Sequence, residues 1–123
     1  MLSHASVLVV EDQAFVALDL ALAIEDAGGE VVGPAATVEE ALELLATITV
    51  GAAILDVTLA EGDTEPLMEV LAELGVPTII QTGVNISPRL AARFPAQVVH
   101  IKPCTASKLV AELAIMISRR PAA

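Results

Sequence analysis

Polar side chains with complementary chemistry follow directly after short apolar runs of this sequence. Glu11 and Asp12 follow the first run, Asp56 the third, Thr82 the fourth and Lys102 the fifth. If these runs are parallel strands of one sheet, their carboxyl ends share one edge and these groups lie together. Neighbouring carboxylates repel each other unless a cation lies among them, and Mg²⁺ prefers oxygen ligands, including those of phosphate. The set therefore predicts phosphoryl transfer onto Asp56 as the nucleophile.

The elements that must position these groups alternate regularly along the chain. Runs rich in β-branched residues predict strands over 7–10, 30–32, 52–55, 78–81 and 98–101. Helical periodicity predicts helices over 13–27, 37–46, 65–74, 88–94 and 105–118. Five successive βα units predict an α/β fold, doubly wound, with a central five-stranded parallel sheet and helices on both faces.

Local signals mark several helix ends. Thr37, followed three residues later by Glu40, predicts a capping box at the start of the second helix. The pair Gly28-Gly29 predicts the end of the first helix, and Gly75 the end of the third.

Composition excludes several classes of function. Six basic and sixteen acidic side chains give a net charge of −10, and a direct nucleic-acid binder needs a basic patch. No apolar run approaches the roughly 18 residues of a membrane helix, so membrane insertion is not expected.

The 123 residues fit one domain, residues 1–123, with no separate output domain. The absence of a basic leader and a single cysteine, Cys104, favour a cytoplasmic location.

The ordered motifs resemble the receiver domains of two-component response regulators. The residues that carry the resemblance are Val7-Leu8-Val9-Val10-Glu11-Asp12, Leu55-Asp56-Val57, Thr82-Gly83 and Lys102-Pro103. The pair Thr82-Gly83 and the stretch Val-Gly-Pro-Ala from Val32 are similar to stand-alone receivers common in alphaproteobacteria. The resemblance covers nearly the whole chain and implies a flavodoxin-like receiver fold.

The resemblance also implies a role for each residue of the set. Asp56 would accept the phosphoryl group, while Thr82 and Lys102 would contact phosphoryl oxygens. Mg²⁺ would be bound by Asp12, Asp56 and the Thr58 backbone carbonyl, with Glu11 acting mainly through metal-bound water. The phosphoryl donor would be a histidine kinase or a histidine phosphotransferase, and the output an unidentified protein target. Such a domain is not an enzyme acting on other substrates, although it catalyses its own phosphorylation and dephosphorylation.

Besides Cys104 in place of a common phenylalanine, the sequence departs from the family at two places. Val99 occupies the position, three residues before Lys102, where many receivers carry an aromatic switch residue. The loop after Asp56 lacks the usual Met-Pro or Leu-Pro pair. The first departure bears on how the Thr82 hydroxyl is coupled to the rest of the domain, and the second on the geometry of the loop.

Other functions stay open as alternatives. The principal one is a degenerate receiver that acts as an interaction module without phosphorylation. A phosphatase with an aspartyl nucleophile usually needs a second acid two residues after it, where this chain has Thr58. A homodimer is also left open.

The first helix carries two apolar stripes. Val16, Leu20, Ile24 and Ala27 form the stripe expected to face the sheet. Phe15, Leu18 and Leu22 form a second stripe, for which two interpretations stand. In one, the last helix covers it with Leu109, Leu113 and Ile117. In the other, it stays exposed and binds the kinase or phosphotransferase.

Overall fold

The computed structural model describes residues 2–56, 61–82, 88–94, 97–101 and 105–119. Its strands are β1 (Ser6–Val10), β2 (Glu30–Ala35), β3 (Ala52–Asp56), β4 (Thr78–Thr82) and β5 (Val98–Ile101). Its helices are α1 (Ala14–Asp26), α2 (Val38–Thr47), α3 (Glu61–Glu73), α4 (Pro88–Arg93) and α5 (Ala106–Ser118). The strands pair in parallel in the order β2-β1-β3-β4-β5. The predicted α/β class is therefore confirmed.

Two apolar clusters hold helices on opposite faces of the sheet. On one face, strand side chains pack with Leu20 and Ile24 of α1 and with Leu109 of α5. On the other face, they pack with Ala41 of α2 and Leu71 of α3. Alternate residues of a strand point to opposite faces, and burying one leucine or isoleucine contributes about 1.5–3 kcal/mol. Both faces of the sheet are therefore covered, as the doubly wound α/β fold predicts. Within the described ranges, no helix combines the length and apolar character that crossing a membrane requires.

Glycine ends α1 and α3 as predicted. Gly28 has φ +86° and donates its N–H to the Glu25 carbonyl at 3.0 Å, while Gly29 donates to the Ile24 carbonyl at 2.9 Å. This is the pair of hydrogen bonds of a Schellman motif. Gly75, with φ +68°, ends α3 in the same conformation.

The predicted cap of α2 is present in a modified form. The Thr37 hydroxyl accepts a hydrogen bond from the Glu40 N–H at 3.1 Å, as an N-cap side chain does. The Glu40 carboxylate accepts from the Ala36 N–H at 3.2 Å, one residue before the N-cap. The box therefore closes one residue earlier than in the usual capping box.

β2 is longer than predicted, because it continues through Gly33-Pro34 to Ala35. Leu8 pairs with Val32 and Val10 pairs with Ala35, so two residues of β2 lie opposite one residue of β1. The predicted end of this strand at Val32 is therefore wrong. Glycine and proline generally interrupt a strand in the centre of a sheet. β2 lies at the edge of the sheet, where a bulge accommodates both residues.

α3 begins at Glu61, four residues before the predicted start at position 65. In the structure Pro66 lies inside the helix, where it forgoes one backbone hydrogen bond without ending it. α4 ends at Arg93, one residue before the predicted end, and Phe94 beyond it is buried in the core.

Candidate functional site

The carboxyl ends of β1 and β3 lie side by side. Val10 at the end of β1 pairs with Leu55 of β3. Glu11 and Asp56 each come one residue after this pair. Because adjacent strands are about 4.8 Å apart, the register places the backbones of Glu11 and Asp56 at neighbouring positions of one sheet edge.

The ends of β4 and β5 lie at the same edge. Asp56 pairs with Gln81 of β4, and Thr82 of β4 pairs with Ile101, the last residue of β5. Lys102 is the next residue of the chain. The register thus brings the ends of four strands to one edge, as the sequence predicts.

This edge also contains the switch point of the sheet. The chain passes from β1 to β2 on one side, and then to β3 on the other side of β1. Ligands of open α/β sheets bind where the strand order reverses in this way. The two strands that flank the switch point are the ones followed by Glu11-Asp12 and ended by Asp56.

Glu11 is buried at this edge, with 2 % of its surface exposed. Its backbone N–H donates to the Ala35 carbonyl at 2.9 Å, just beyond the bulge at Gly33. Its Oε1 accepts a hydrogen bond from the N–H of Gln13, the N-cap residue of α1, at 3.0 Å. The positive end of the α1 dipole lies close to this carboxylate and favours its negative charge. β2 and α1 therefore both position Glu11.

Asp12 occupies the short turn between β1 and α1. It is exposed, in contrast to Glu11 one residue earlier. The two residues thus place one buried and one solvent-facing carboxylate at the carboxyl end of β1. Carboxylate oxygens of this kind match the ligand preference of Mg²⁺, which usually keeps several water ligands.

Thr82 and Gln81 supply buried polar side chains at the end of β4. Thr82 is 1 % exposed and Gln81 is 5 % exposed. The sequence pattern predicts Thr82 as a site residue and Gln81 only as a strand residue. The register with Asp56 shows that Gln81 also belongs to the site edge, and its signal in the sequence is a single amide in an otherwise apolar strand.

Part of the predicted set lies outside the described residues. Thr58 and Lys102 lie outside the described residues. The backbone of Asp56 is described, but its side chain is not. Among the side chains that are described, no three of the Asp, Glu, His or Cys type come together as a metal site. The metal ligands Glu11, Asp12, Asp56 and Thr58 therefore stay a prediction.

The second apolar stripe of α1 is exposed. The exposed fractions are 88 % for Phe15, 55 % for Leu18 and 52 % for Leu22. Leu109 and Leu113 of α5 are fully buried against the sheet and the first stripe, so they do not cover the second one. The interpretation in which α5 covers this stripe is wrong. The exposed stripe begins three residues after Asp12, at the same end of the sheet as the carboxylates.

An ion-pair cluster that no sequence motif indicated joins α3 to α4. Arg89 donates two hydrogen bonds to the Glu65 carboxylate, at 2.7 and 3.1 Å. Arg93 binds both Glu65 and Glu69. The hydrogen bond from Arg89 is the main reason that the pKa of Glu65 lies below its usual value. The hydrogen bond to Glu69 likewise raises the pKa of Arg93.

Comparison with known proteins gives a match in structure only. No protein-family model and no curated protein matches the sequence. A CheY-like receiver domain protein from Methanospirillum hungatei superposes with a TM-score of 0.81 at 23% identity, over 94% of this chain and 95% of the other. A response regulator receiver protein from Sinorhizobium medicae gives a TM-score of 0.81 at 20% identity, over 98% and 100%.

A third match is to part of a larger protein. The stress response regulator PhyR gives a TM-score of 0.71 at 25% identity, over 94% of this chain and 47% of that one. Together these similarities show the fold. The chain has the flavodoxin-like fold of CheY-like response-regulator receiver domains.

Proposed function

We propose that this protein is a receiver domain of a two-component response regulator, which accepts a phosphoryl group on Asp56. The observation that carries the proposal is the strand register. Asp56 ends β3 at the switch point, beside the buried residue Glu11, and it pairs with Gln81, the residue before the buried Thr82. A nucleophilic carboxylate at this edge, flanked by acidic and hydroxyl groups, suits phosphoryl transfer better than nucleotide binding, because no glycine-rich phosphate loop follows β1.

The proposed reaction is an in-line transfer from a phosphohistidine. A carboxylate oxygen of Asp56 attacks the phosphorus, a P–O bond forms and the P–N bond to the donor histidine breaks. The released imidazole keeps the electron pair of that bond and takes up a proton. The product is an aspartyl phosphate at the end of β3.

Mg²⁺ would be held by Asp12, Asp56 and the backbone carbonyl of Thr58, with Glu11 acting through water. The described oxygens of Glu11 and Asp12 fit this ion, since a buried carboxylate beside an exposed one supplies both a charge and access for water. The ion supplies positive charge for the phosphoryl oxygens.

Thr82 and Lys102 would stabilise the modified state. The Thr82 hydroxyl would donate a hydrogen bond to one phosphoryl oxygen, and the Lys102 ammonium would pair with another. Thr82 is almost completely buried, and hydrogen bonds are stronger where water is excluded. Formation of the aspartyl phosphate would therefore change the hydrogen bonding of β4 directly.

The phosphoryl donor would bind at the exposed stripe of α1. Phe15, Leu18 and Leu22 present three large, exposed apolar side chains along α1, and the first of them is three residues after Asp12. Buried apolar anchors carry much of the binding energy of protein interfaces. A histidine kinase or histidine phosphotransferase that contacts this stripe would bring its phosphohistidine to the Asp56 edge. The downstream target of this proposed signalling domain is a further protein that the chain does not identify.

Intact-mass measurement after incubation with acetyl phosphate and Mg²⁺ tests the proposal. We expect one phosphoryl adduct on the wild-type protein and none when the ion is removed with EDTA. Asp56→Asn should abolish the adduct, whereas Asp26→Asn, at the far end of α1, should leave it unchanged. Absence of any adduct on a folded wild-type protein would favour the phosphorylation-independent interaction module, and sustained phosphate release would favour a phosphatase.

A further inference from the structure

A cavity lies at the amino-terminal edge of the sheet, opposite the edge that carries Glu11 and Thr82. Its volume is about 470 Å³, within the range of small-molecule sites. The segment Gly75–Pro77 before β4 and Gln97 before β5 form its floor, and Met116 of α5 forms one side. The walls are mostly apolar, and Val76, Pro77, Phe94 and Met116 are among the side chains that line them.

Among the described residues, Arg93 and Arg119 line this cavity, and of these two Arg119 has a charge available to a ligand. Arg93 already binds Glu65 and Glu69, and its Cζ lies 5.1 Å from the centre of the Phe94 ring. Arg119 caps α5 through its backbone N–H, which donates to the Ile115 carbonyl at 3.1 Å. Its guanidinium makes no ion pair with any residue in the described ranges, so Arg119 offers a full positive charge at the cavity rim.

Gln97 provides a second polar group. Its Nε2 donates to the Met68 carbonyl at 3.5 Å. Its Oε1 is buried and has no hydrogen-bond partner within the described part of the chain. Buried polar atoms normally have partners. Because this oxygen is buried and not open to the cavity, a donor on a bound molecule would satisfy it once the Gln97 side chain rotates toward the ligand.

We propose that this cavity binds a small aromatic monoanion. Its flat apolar body would pack on Val76, Pro77 and Met116, its carboxylate would pair with Arg119, and an N–H or O–H group would donate to Gln97. The site is separate from the proposed phosphorylation edge, so it stands or fails independently of that proposal.

Titration of the full chain with indole-3-acetate, followed by ¹H–¹⁵N NMR, tests this site. We expect saturable shifts at the amides of Val76, Gln97 and Met116. Indole-3-acetamide, which lacks the charge, should bind roughly 10-fold more weakly, the factor that about 1.4 kcal/mol corresponds to. Shifts that do not saturate, or that map away from these amides, would overturn the proposal.

Variants separate the roles of charge and shape. Arg119→Gln should weaken indole-3-acetate binding roughly 10-fold and leave indole-3-acetamide unaffected. Lys108→Gln removes the same charge from the opposite, exposed end of α5 and should change neither ligand. Ala72→Phe fills the cavity from an exposed position of α3 and should abolish binding while the protein stays folded. Equal weakening by Arg119→Gln and Lys108→Gln, or unchanged binding to a folded Ala72→Phe protein, would contradict the proposed site.

Discussion

The Arg89 guanidinium of α4 donates to both oxygens of the Glu65 carboxylate of α3. α4 has six residues, too few for a helix to be stable by itself in water. Tertiary contacts must therefore hold it, and this bidentate pair, the bridging Arg93 and the buried Phe94 are the contacts the structure provides. α3 follows the segment after Asp56 and α4 follows the segment after Thr82, so the cluster connects elements next to both proposed site residues.

The first prediction concerns the pH dependence of this cluster. The pKa of Glu65 is lowered in the folded state from its ordinary value of 4.5, chiefly by the Arg89 hydrogen bond. A carboxyl group with a lowered folded-state pKa adds stability above its unfolded pKa, and this contribution is lost as pH falls through the folded pKa. The stability difference between wild type and Glu65→Gln should therefore be constant near neutral pH and shrink below about pH 4.5.

Urea unfolding at a series of pH values measures this difference. Glu43→Gln, at an exposed position of α2, removes a carboxylate that has no ion pair among the described residues, and it serves as the control. The idea is wrong if both variants show the same pH dependence relative to wild type.

The second prediction concerns the bulge that positions Glu11. Gly33 has φ +98°, and a Cβ there would lie 2.7 Å from the Ala35 nitrogen. Gly28 has φ +86°, but a Cβ there would have nothing within 4 Å. Gly28→Ala should cost about 1 kcal/mol for its backbone conformation alone. Gly33→Ala should cost about 3 kcal/mol, because a steric clash adds to the strained conformation.

Denaturant unfolding of both variants checks these values. NMR should also show a shift of the Glu11 amide in Gly33→Ala, since that amide donates to the carbonyl of Ala35. Equal costs for the two substitutions would mean that the bulge relaxes without strain.

The third prediction concerns the proposed switch hydroxyl. Thr82→Ala should still be labelled by acetyl phosphate, because the nucleophile is unchanged. It should lose the response of α4 amides to beryllium fluoride, because no hydroxyl remains to donate to the fluorine that stands in for a phosphoryl oxygen. Thr78→Ala is a matched control, since Thr78 is equally buried at the other end of β4 and donates to the Val76 carbonyl at 2.9 Å.

NMR spectra of the three proteins with and without beryllium fluoride provide the comparison. Thr78→Ala should keep the response, although it loses about 1 kcal/mol of stability. A response of α4 that survives in Thr82→Ala would separate this hydroxyl from the switch.

The fourth prediction concerns the exposed stripe of α1. Leu18→Glu and Leu22→Glu should leave folding and acetyl phosphate labelling intact, because both side chains are about half exposed. Either substitution should weaken transfer from the partner phosphohistidine protein by roughly 10-fold or more, as burial of a leucine contributes about 1.5–3 kcal/mol. Leu74→Glu changes a leucine with 53 % exposure at the end of α3 and should have no effect on transfer. Unimpaired transfer to both α1 variants would exclude this stripe as the docking surface.

Much of the fold could be predicted from sequence because its signals are local. Each strand is a short apolar run, and the glycines that end α1 and α3 are at the positions their left-handed conformation requires. The edge that holds Glu11, Asp56 and Thr82 also follows from sequence, since parallel strands place all their carboxyl ends together.

The register supplied what the strand pattern could not. Periodicity alone does not say which residue of β3 lies opposite which residue of β4, so Gln81 was not recognised as a neighbour of Asp56. The extension of β2 through Gly33 likewise depends on its position at the edge of the sheet, which no local pattern encodes.

Contacts between distant segments were decided by the tertiary structure alone. α1 is apolar on most of its surface, so its sequence contains two apolar stripes and does not indicate which of them is covered. In the structure, the packing of α5 buries the first stripe and leaves Phe15 and Leu18 exposed. Arg89 and Glu65 are 24 positions apart, and two charges at that separation carry no signal until α3 and α4 are packed side by side. The cavity beside Arg119 exists for the same reason, because its walls come from helices and strand ends that meet only in the folded chain.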